Sequence, residues 1–252
     1  MTKTPSSSIQ VIDRVASLLD VLASNPESHS LKLLSAETGL HPSTAYRILD
    51  ALAVHGLVER TDTSQYRLGV RLLRLGSRVR QDVDLLRDAR PIMDALRSEL
   101  GETVNLTVQQ GDEVVYVERS VPARMMRVEQ LVGSRAPLHV TAVGKLFLAE
   151  SGEKACRQYA RRTGLPAYTT NTLTQVTRLW AEAKRSSAKG YALDNEEAEL
   201  GVACIGVPVR DANGRMVAGL SVSAPQERRQ KNWIPRIVKA GVALSVRLGH
   251  TG

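Results

Sequence analysis

Apolar positions along the first hundred residues recur at helical spacing, and beyond them alternation takes over. Val11, Val15, Leu18, Leu19 and Leu22 line one side of a helix over residues 10–23, which Asn25-Pro26-Glu27-Ser28 then breaks. A short helix follows from Leu31, and Gly39 supplies a left-handed residue to end it. Pro42 suits the first position of the next helix, where a missing N–H costs nothing. In that helix Ala45, Ile48, Leu49 and Leu52 stand at i, i+3, i+4 and i+7 and form one buried stripe. His41, just before it, is a poorer N-cap than Ser, Thr, Asp or Asn. Residues 57–60 and 66–68 read as two short strands around a polar turn. A helix over residues 68–80 is apolar on a broad side, and another over 85–100 kinks or restarts at Pro91.

From Thr103 the pattern is mixed. Residues 104–109 alternate, Gly111-Asp112 turns, and residues 114–118 continue as a strand, with 125–130 as a third. Helices are expected over 142–149, 154–163 and 173–189. Residues 202–209 then pair with 216–223 across a turn holding Asn213-Gly214, a strong hairpin signal, before a last helix over 233–248. The fold class expected is α+β: three helices and a hairpin, then an antiparallel sheet flanked by helices. The domain reading is a disordered start at 1–8, a small domain at 9–69, a linker helix at 70–84 and a larger domain at 85–252.

Helix, turn, helix and hairpin in that order make a winged helix-turn-helix, a DNA-reading module. Its second helix opens with Ser43, Thr44, Tyr46 and Arg47 on the face opposite the apolar stripe. Arg can fork onto guanine, and hydroxyls reach phosphate or base. Ser and Thr also favour helix starts for their own sake, so the flanking elements carry much of the argument. Arg60 and Arg67 place charge on the wing, beside the duplex backbone. A net charge of +8 agrees with an anionic partner, but residues 1–80 hold only ten Lys and Arg against seven Asp and Glu. The DNA reading therefore rests on the motif. Two cysteines, Cys156 and Cys204, make no disulfide framework and suit a reducing cytoplasm. No apolar run approaches the length of a membrane span, and no spaced Cys/His cluster suggests zinc.

The chain resembles the IclR-type transcriptional regulators over nearly its whole length. The resemblance rests on the winged helix, on Pro137-Leu-His-Val-Thr-Ala-Val-Gly-Lys145, on Gly190-Tyr-Ala-Leu-Asp-Asn-Glu-Glu197, and on Gly206-Val-Pro-Val-Arg-Asp with Ser221-Val-Ser-Ala-Pro225. It implies a GAF-like effector-binding domain and a homodimer through the DNA-binding and linker helices, often a dimer of dimers. It also implies an effector site at Ala142, Val143, Asp194, Cys204, Ser221 and Ser223. On the residues themselves, Thr141 caps a helix whose first N–H groups, at Ala142, Val143 and Gly144, favour a carboxylate. Ser221 and Ser223 share a strand face and offer two hydroxyls, or else face solvent on an edge. Cys204 is equally a small core residue. Glu196 and Glu197 read as solvated or capping charges, Arg228-Arg229 as an exposed face, and Met125 and Met126 as a pocket wall or surface.

The expected function is a cytoplasmic, effector-responsive regulator. It binds double-stranded, pseudo-palindromic operator DNA and a small carboxylate, with no cofactor, no metal and no membrane partner. The alternative is an architectural DNA binder whose second domain only oligomerises. An enzyme with Cys204 as nucleophile and His139 as base lacks a local signature or orienting partner.

Overall fold

The computed structural model describes residues 10–24, 28–79 and 84–251, which fall in two compact units, Met1–Asp82 and Val83–Gly252. The expected disordered start, most of the break after the first helix, and the end of the linker helix lie outside the described residues.

The first unit consists of α1 (Gln10–Ser24), α2 (Leu31–Thr38), α3 (Pro42–Val54), β1 (Val58–Arg60), β2 (Tyr66–Leu68) and α4 (Val70–Val79). Leu18 and Leu22 of α1, Leu34 of α2, and Ala45, Leu49 and Leu52 of α3 close one core with Val58 and Tyr66 of the wing. Ser30 caps α2 by accepting from the Leu33 N–H at 3.2 Å, and Gly39 ends it at φ 67°. His41 does cap α3: its ring Nδ1 accepts from the Ser43 N–H at 3.4 Å and bonds the Ser43 hydroxyl at 2.8 Å. An imidazole thus does the work expected of a shorter side chain. Glu59 stands opposite Arg67 in the antiparallel wing, and Tyr66 also pairs with His29 through two 2.8 Å backbone bonds. That bridge ties the wing to the segment before α2.

The second unit contains α5 (Asp84–Leu100), β3 (Thr103–Gln110), β4 (Glu113–Ser120), β5 (Arg135–Pro137), α6 (Ala142–Thr163), α7 (Val176–Lys189), β6 (Ala192–Asn195), β7 (Val202–Arg210), β8 (Met216–Pro225) and α8 (Ile234–Arg247). The sheet order is β5-β4-β3-β8-β7-β6, and every neighbouring pair is antiparallel. Period-two alternation divides its faces. Val104, Leu106, Ile205, Val207, Leu220 and Val222 form the apolar face, packed with Met93 and Leu96 of α5 and Ile237 and Leu244 of α8. The opposite face is made of small and polar residues, and α6 starts against it. α6 and α7 share their own core through Phe147, Tyr159, Leu179 and Ala183.

Several expectations shift. Residues 121–134 form no strand, and β4 pairs with β5 instead. Side chains claim the backbone there: Arg228 donates to the Met126 carbonyl at 3.2 Å, and Arg119 to the Gln130 carbonyl at 2.9 Å. Met125 and Met126 are both exposed. Arg228 is no free surface charge either, because it pairs with the buried Glu102 at 2.7 and 2.9 Å. α5 runs through Pro91 as one element without restarting. The two helices expected over 142–163 appear as α6 broken at Gly152, whose φ of 84° is non-helical. α7 begins at Val176 rather than 173, and β6 was not anticipated.

Candidate functional site

The face of α3 opposite its buried stripe is open. Ser43, Tyr46 and Arg47 are exposed and Thr44 is half-buried. Among the described residues Arg47 has no hydrogen-bond or ion-pair partner, so its five donors are available. The wing arginines differ from it. Arg60 lies 6.0 Å from the centre of the Tyr66 ring and donates to the Ser64 hydroxyl at 3.2 Å. Arg67 donates from both Nε and Nη2 to one oxygen of Glu59, at 2.9 and 2.8 Å. That guanidinium holds the Glu59 carboxyl below the usual carboxylate range.

In the second unit a cavity of about 80 Å³ lies between the start of α6 and the polar face of the sheet. Of the seven residues anticipated there, Ala142, Val143, Asp194, Cys204 and Ser221 line it, and Gly144 and Ser223 do not. Thr141 caps α6 as expected, and in doing so takes the Gly144 N–H at 3.1 Å, leaving none for a ligand. Gly144 has a different role: a Cβ there would lie 2.2 Å from the Leu138 carbonyl oxygen. Across the gap, a Cβ on Gly219 would fall 2.0 Å from Cγ1 of Val143, so glycine lets α6 press against the sheet. Ser223 is buried, accepting from Asn105 Nδ2 at 3.1 Å and lying 3.1 Å from the Cys204 sulfur. Strand register explains why these residues meet. Asp194, Cys204, Ser223 and Thr103 form one cross-strand row, and Gly206, Ser221 and Asn105 form the next.

Thr107, Tyr116, Gln130, Thr141 and Glu199 also line the cavity. Alternation marks Thr107, two places from Asn105 in β3, but its partners required the register. Gln130 carries no such signal because it belongs to the irregular stretch, where its carbonyl side chain accepts from Asn105 at 3.1 Å.

Burial dominates the electrostatics. It raises the Asp194 carboxyl to about 6, against the lowering effect of the Glu197 N–H, which donates to it at 2.8 Å. Glu197 is itself buried and paired with Lys145, whose side chain is fully buried. The expectation of a solvated or capping charge at Glu197 is thereby corrected: with no water to screen it, the carboxylate needs a cation. Burial pushes the Cys204 thiol and the Tyr116 hydroxyl above their ordinary values. His139, held down by burial, bonds the Tyr159 hydroxyl at 2.7 Å and the Pro166 carbonyl at 3.0 Å. A protonated thiol and an imidazole occupied elsewhere are not a nucleophile and its base.

Residues 77–245 match the model of the bacterial transcriptional regulator IclR C-terminal domain, and residues 11–62 match the IclR helix-turn-helix domain. The chain belongs to the IclR family of transcriptional regulators. This IclR-family chain is 31% identical over 249 residues to the HTH-type transcriptional regulator XynR of Escherichia coli, covering 96% of itself and 98% of that protein. It is 30% identical over 230 residues to the transcriptional repressor IclR of the same organism, covering 90% and 84%. Its fold matches the crystal structure of Thermotoga maritima IclR with a TM-score of 0.79 at 29% identity, over 96% of this chain and all of that one. An IclR homolog from Microbacterium hydrocarbonoxydans, solved with 4-hydroxybenzoate, shares the fold with a TM-score of 0.82 at 24% identity, over 94% and 98%. The family is one of DNA-binding regulators, not enzymes. Among the described residues no helix is long and apolar enough to cross a membrane.

Proposed function

We propose that this regulator acts in the cytoplasm as a homodimer or dimer of dimers, reads a pseudo-palindromic operator, and changes its occupancy when a small organic acid enters the α6 cavity. The observation that carries this reading is that Ala142 and Val143 at the start of α6, Ser221 and Asp194 line one small cavity. The N-terminal end of a helix offers unpaired donors and a favourable dipole to a carboxylate. Ser221 adds a hydroxyl donor, and Asp194 can accept from a ligand hydroxyl. The Microbacterium homolog's 4-hydroxybenzoate is a hydroxylated carboxylic acid, the same chemical class. A volume of about 80 Å³ suits a compact ligand.

On the DNA side, exposed Ser43, Tyr46 and Arg47 with Thr44 are the groups proposed to meet base edges and phosphates, and Arg60 and Arg67 to meet the backbone of the duplex. Val70, Leu73 and Leu75 of α4 expose apolar surface, which supports pairing with a second copy. Two linked heads then match the two-fold symmetry of an operator.

A thermal-shift screen of small hydroxy and oxo acids tests the sensor. A ligand that binds the folded state at a hundred times its Kd stabilises by about 2.7 kcal/mol. Ser221→Ala is expected to lower the affinity for the acid so found at least tenfold, because a hydrogen bond to a charged group is worth about 1.5–3 kcal/mol. Unchanged affinity in a folded variant places the ligand elsewhere.

A further inference from the structure

Among the three candidate DNA-facing arginines, Arg67 alone is held by a carboxylate. Its Nε and Nη2 both donate to Oε2 of Glu59, at 2.9 and 2.8 Å, across the two strands of the wing. The same carboxylate turns its other oxygen to the first N–H of α4, at Val70, 3.4 Å away. A carboxylate at a helix start is favoured by the exposed N–H groups and the dipole there. α4 is fastened at the same place to the end of the recognition helix. Arg71 donates to the His55 carbonyl at 2.8 Å, its own N–H reaches the Gly56 carbonyl at 3.3 Å, and the Gly69 N–H bonds the Leu57 carbonyl at 2.9 Å. A Cβ on Gly69 would lie 2.3 Å from the Gly56 carbonyl oxygen, so the two backbone segments touch.

We propose that Glu59 is a brake on the DNA-binding wing: it engages Arg67 in the free protein, competes with the DNA phosphate for that guanidinium, and joins this competition to the start of α4. The proposal rests on the reading that the wing lies against DNA. A phosphate and a carboxylate seek the same planar donor edge of an arginine. An exposed pair of this kind is weak, so a duplex can displace it, and the pair then sets how much affinity Arg67 contributes rather than whether it contributes. Once Arg67 has moved to phosphate, the Glu59 carboxylate is left to the α4 N-terminus alone. Engagement of DNA and the seating of α4 on the recognition helix are thereby joined through one side chain.

The test is a double-mutant cycle on the full-length protein with Glu59→Gln, Arg67→Gln and the pair. Each is titrated by fluorescence anisotropy against one duplex of random sequence from 50 to 200 mM salt, with circular dichroism as the check of folding. Removing the competitor should tighten binding in Glu59→Gln with little change in the logarithmic salt slope, because the number of phosphate contacts stays the same. Arg67→Gln should weaken binding and flatten the slope by about 0.9 for each reading head, the loss of one contact. In the Arg67→Gln background the Glu59 substitution should change nothing. If Glu59→Gln tightens binding equally in both backgrounds, the carboxylate merely repels phosphates and the brake is overturned. If Glu59→Gln weakens binding, it supports Arg67 rather than competing for it, which also overturns the brake. An Arg67→Gln variant that binds like the parent instead refutes the placement of the wing on DNA, and the two failures are distinguishable.

Discussion

The two units handle polar side chains in opposite ways. In the first, the six groups proposed for function lie between Ser43 and Arg67, and all but the half-buried Thr44 are exposed. In the second, Asn105, Thr107, Asp194, Ser221 and Ser223 are buried, come from three strands, and are separated by up to 118 positions. A buried polar group must be partnered or it costs stability, whereas an exposed one can wait for a ligand at little expense. Changes in the second unit therefore register first as folding, and changes on the reading head register as binding.

The largest expected effect comes from the buried ion pair. Lys145→Ala strands Glu197, whose Oε2 already lacks a partner in the structure. The loss should be about 3–5 kcal/mol in denaturant unfolding of the second unit. A loss below 1 kcal/mol would mean that solvent reaches the pair and that the contrast between the units is overstated. On the other side of the comparison, Arg47→Ala should leave unfolding within about 0.5 kcal/mol of the parent. It should cost about 1–3 kcal/mol of operator affinity and relax selection at one base position. Equal binding by parent and variant in a gel-shift titration would move the reading surface off α3.

A third effect is a pH slope. Asp194 has its carboxyl raised by burial from 3.8 to about 6. Between these values the folded chain holds a proton that the unfolded chain has released, so stability falls as pH rises from about 4 to 6. It falls by at most about 1.4 kcal/mol per unit from this group. The contribution is complete below the unfolded value and gone above the folded one. Asp194→Asn should remove that slope while the slopes from exposed carboxylates persist. Parallel stability–pH curves for parent and variant would show that water reaches Asp194.

The same contrast decides what could be read without coordinates. Local spacing was enough for α3: of its stripe Ala45, Leu49 and Leu52 are buried and Ile48 is half-buried, and Ser43, Tyr46 and Arg47 opposite are exposed. Arg47 and Arg67 looked alike in sequence and differ in structure because Glu59, eight positions away, meets Arg67 only through the hairpin register. In the second unit, the Thr141 cap and the shared face of Ser221 and Ser223 were legible from short-range rules. Which serine meets the cavity was not, since that depends on β7 and β3 flanking β8. Glu197 and Gln130 were missed for a related reason. The partner of one is 52 positions away on α6, and the other sits where arginines replace a strand's hydrogen bonds.

The proposed regulation requires communication between a cavity in one unit and DNA held by the other. The direct measurement is the Kd for an operator duplex selected from random sequence, determined by anisotropy with and without a saturating concentration of the acid found by thermal shift, for the parent and Ser221→Ala. An allosteric ligand must bind the two states with different affinities, and couplings of about 1–3 kcal/mol shift the Kd roughly 5- to 150-fold. Such a shift is expected in the parent. At the same acid concentration a much smaller shift is expected in Ser221→Ala, whose acid-free Kd matches the parent's. One operator Kd, the same with and without bound acid in the parent, would rule out coupling between the cavity and the reading head.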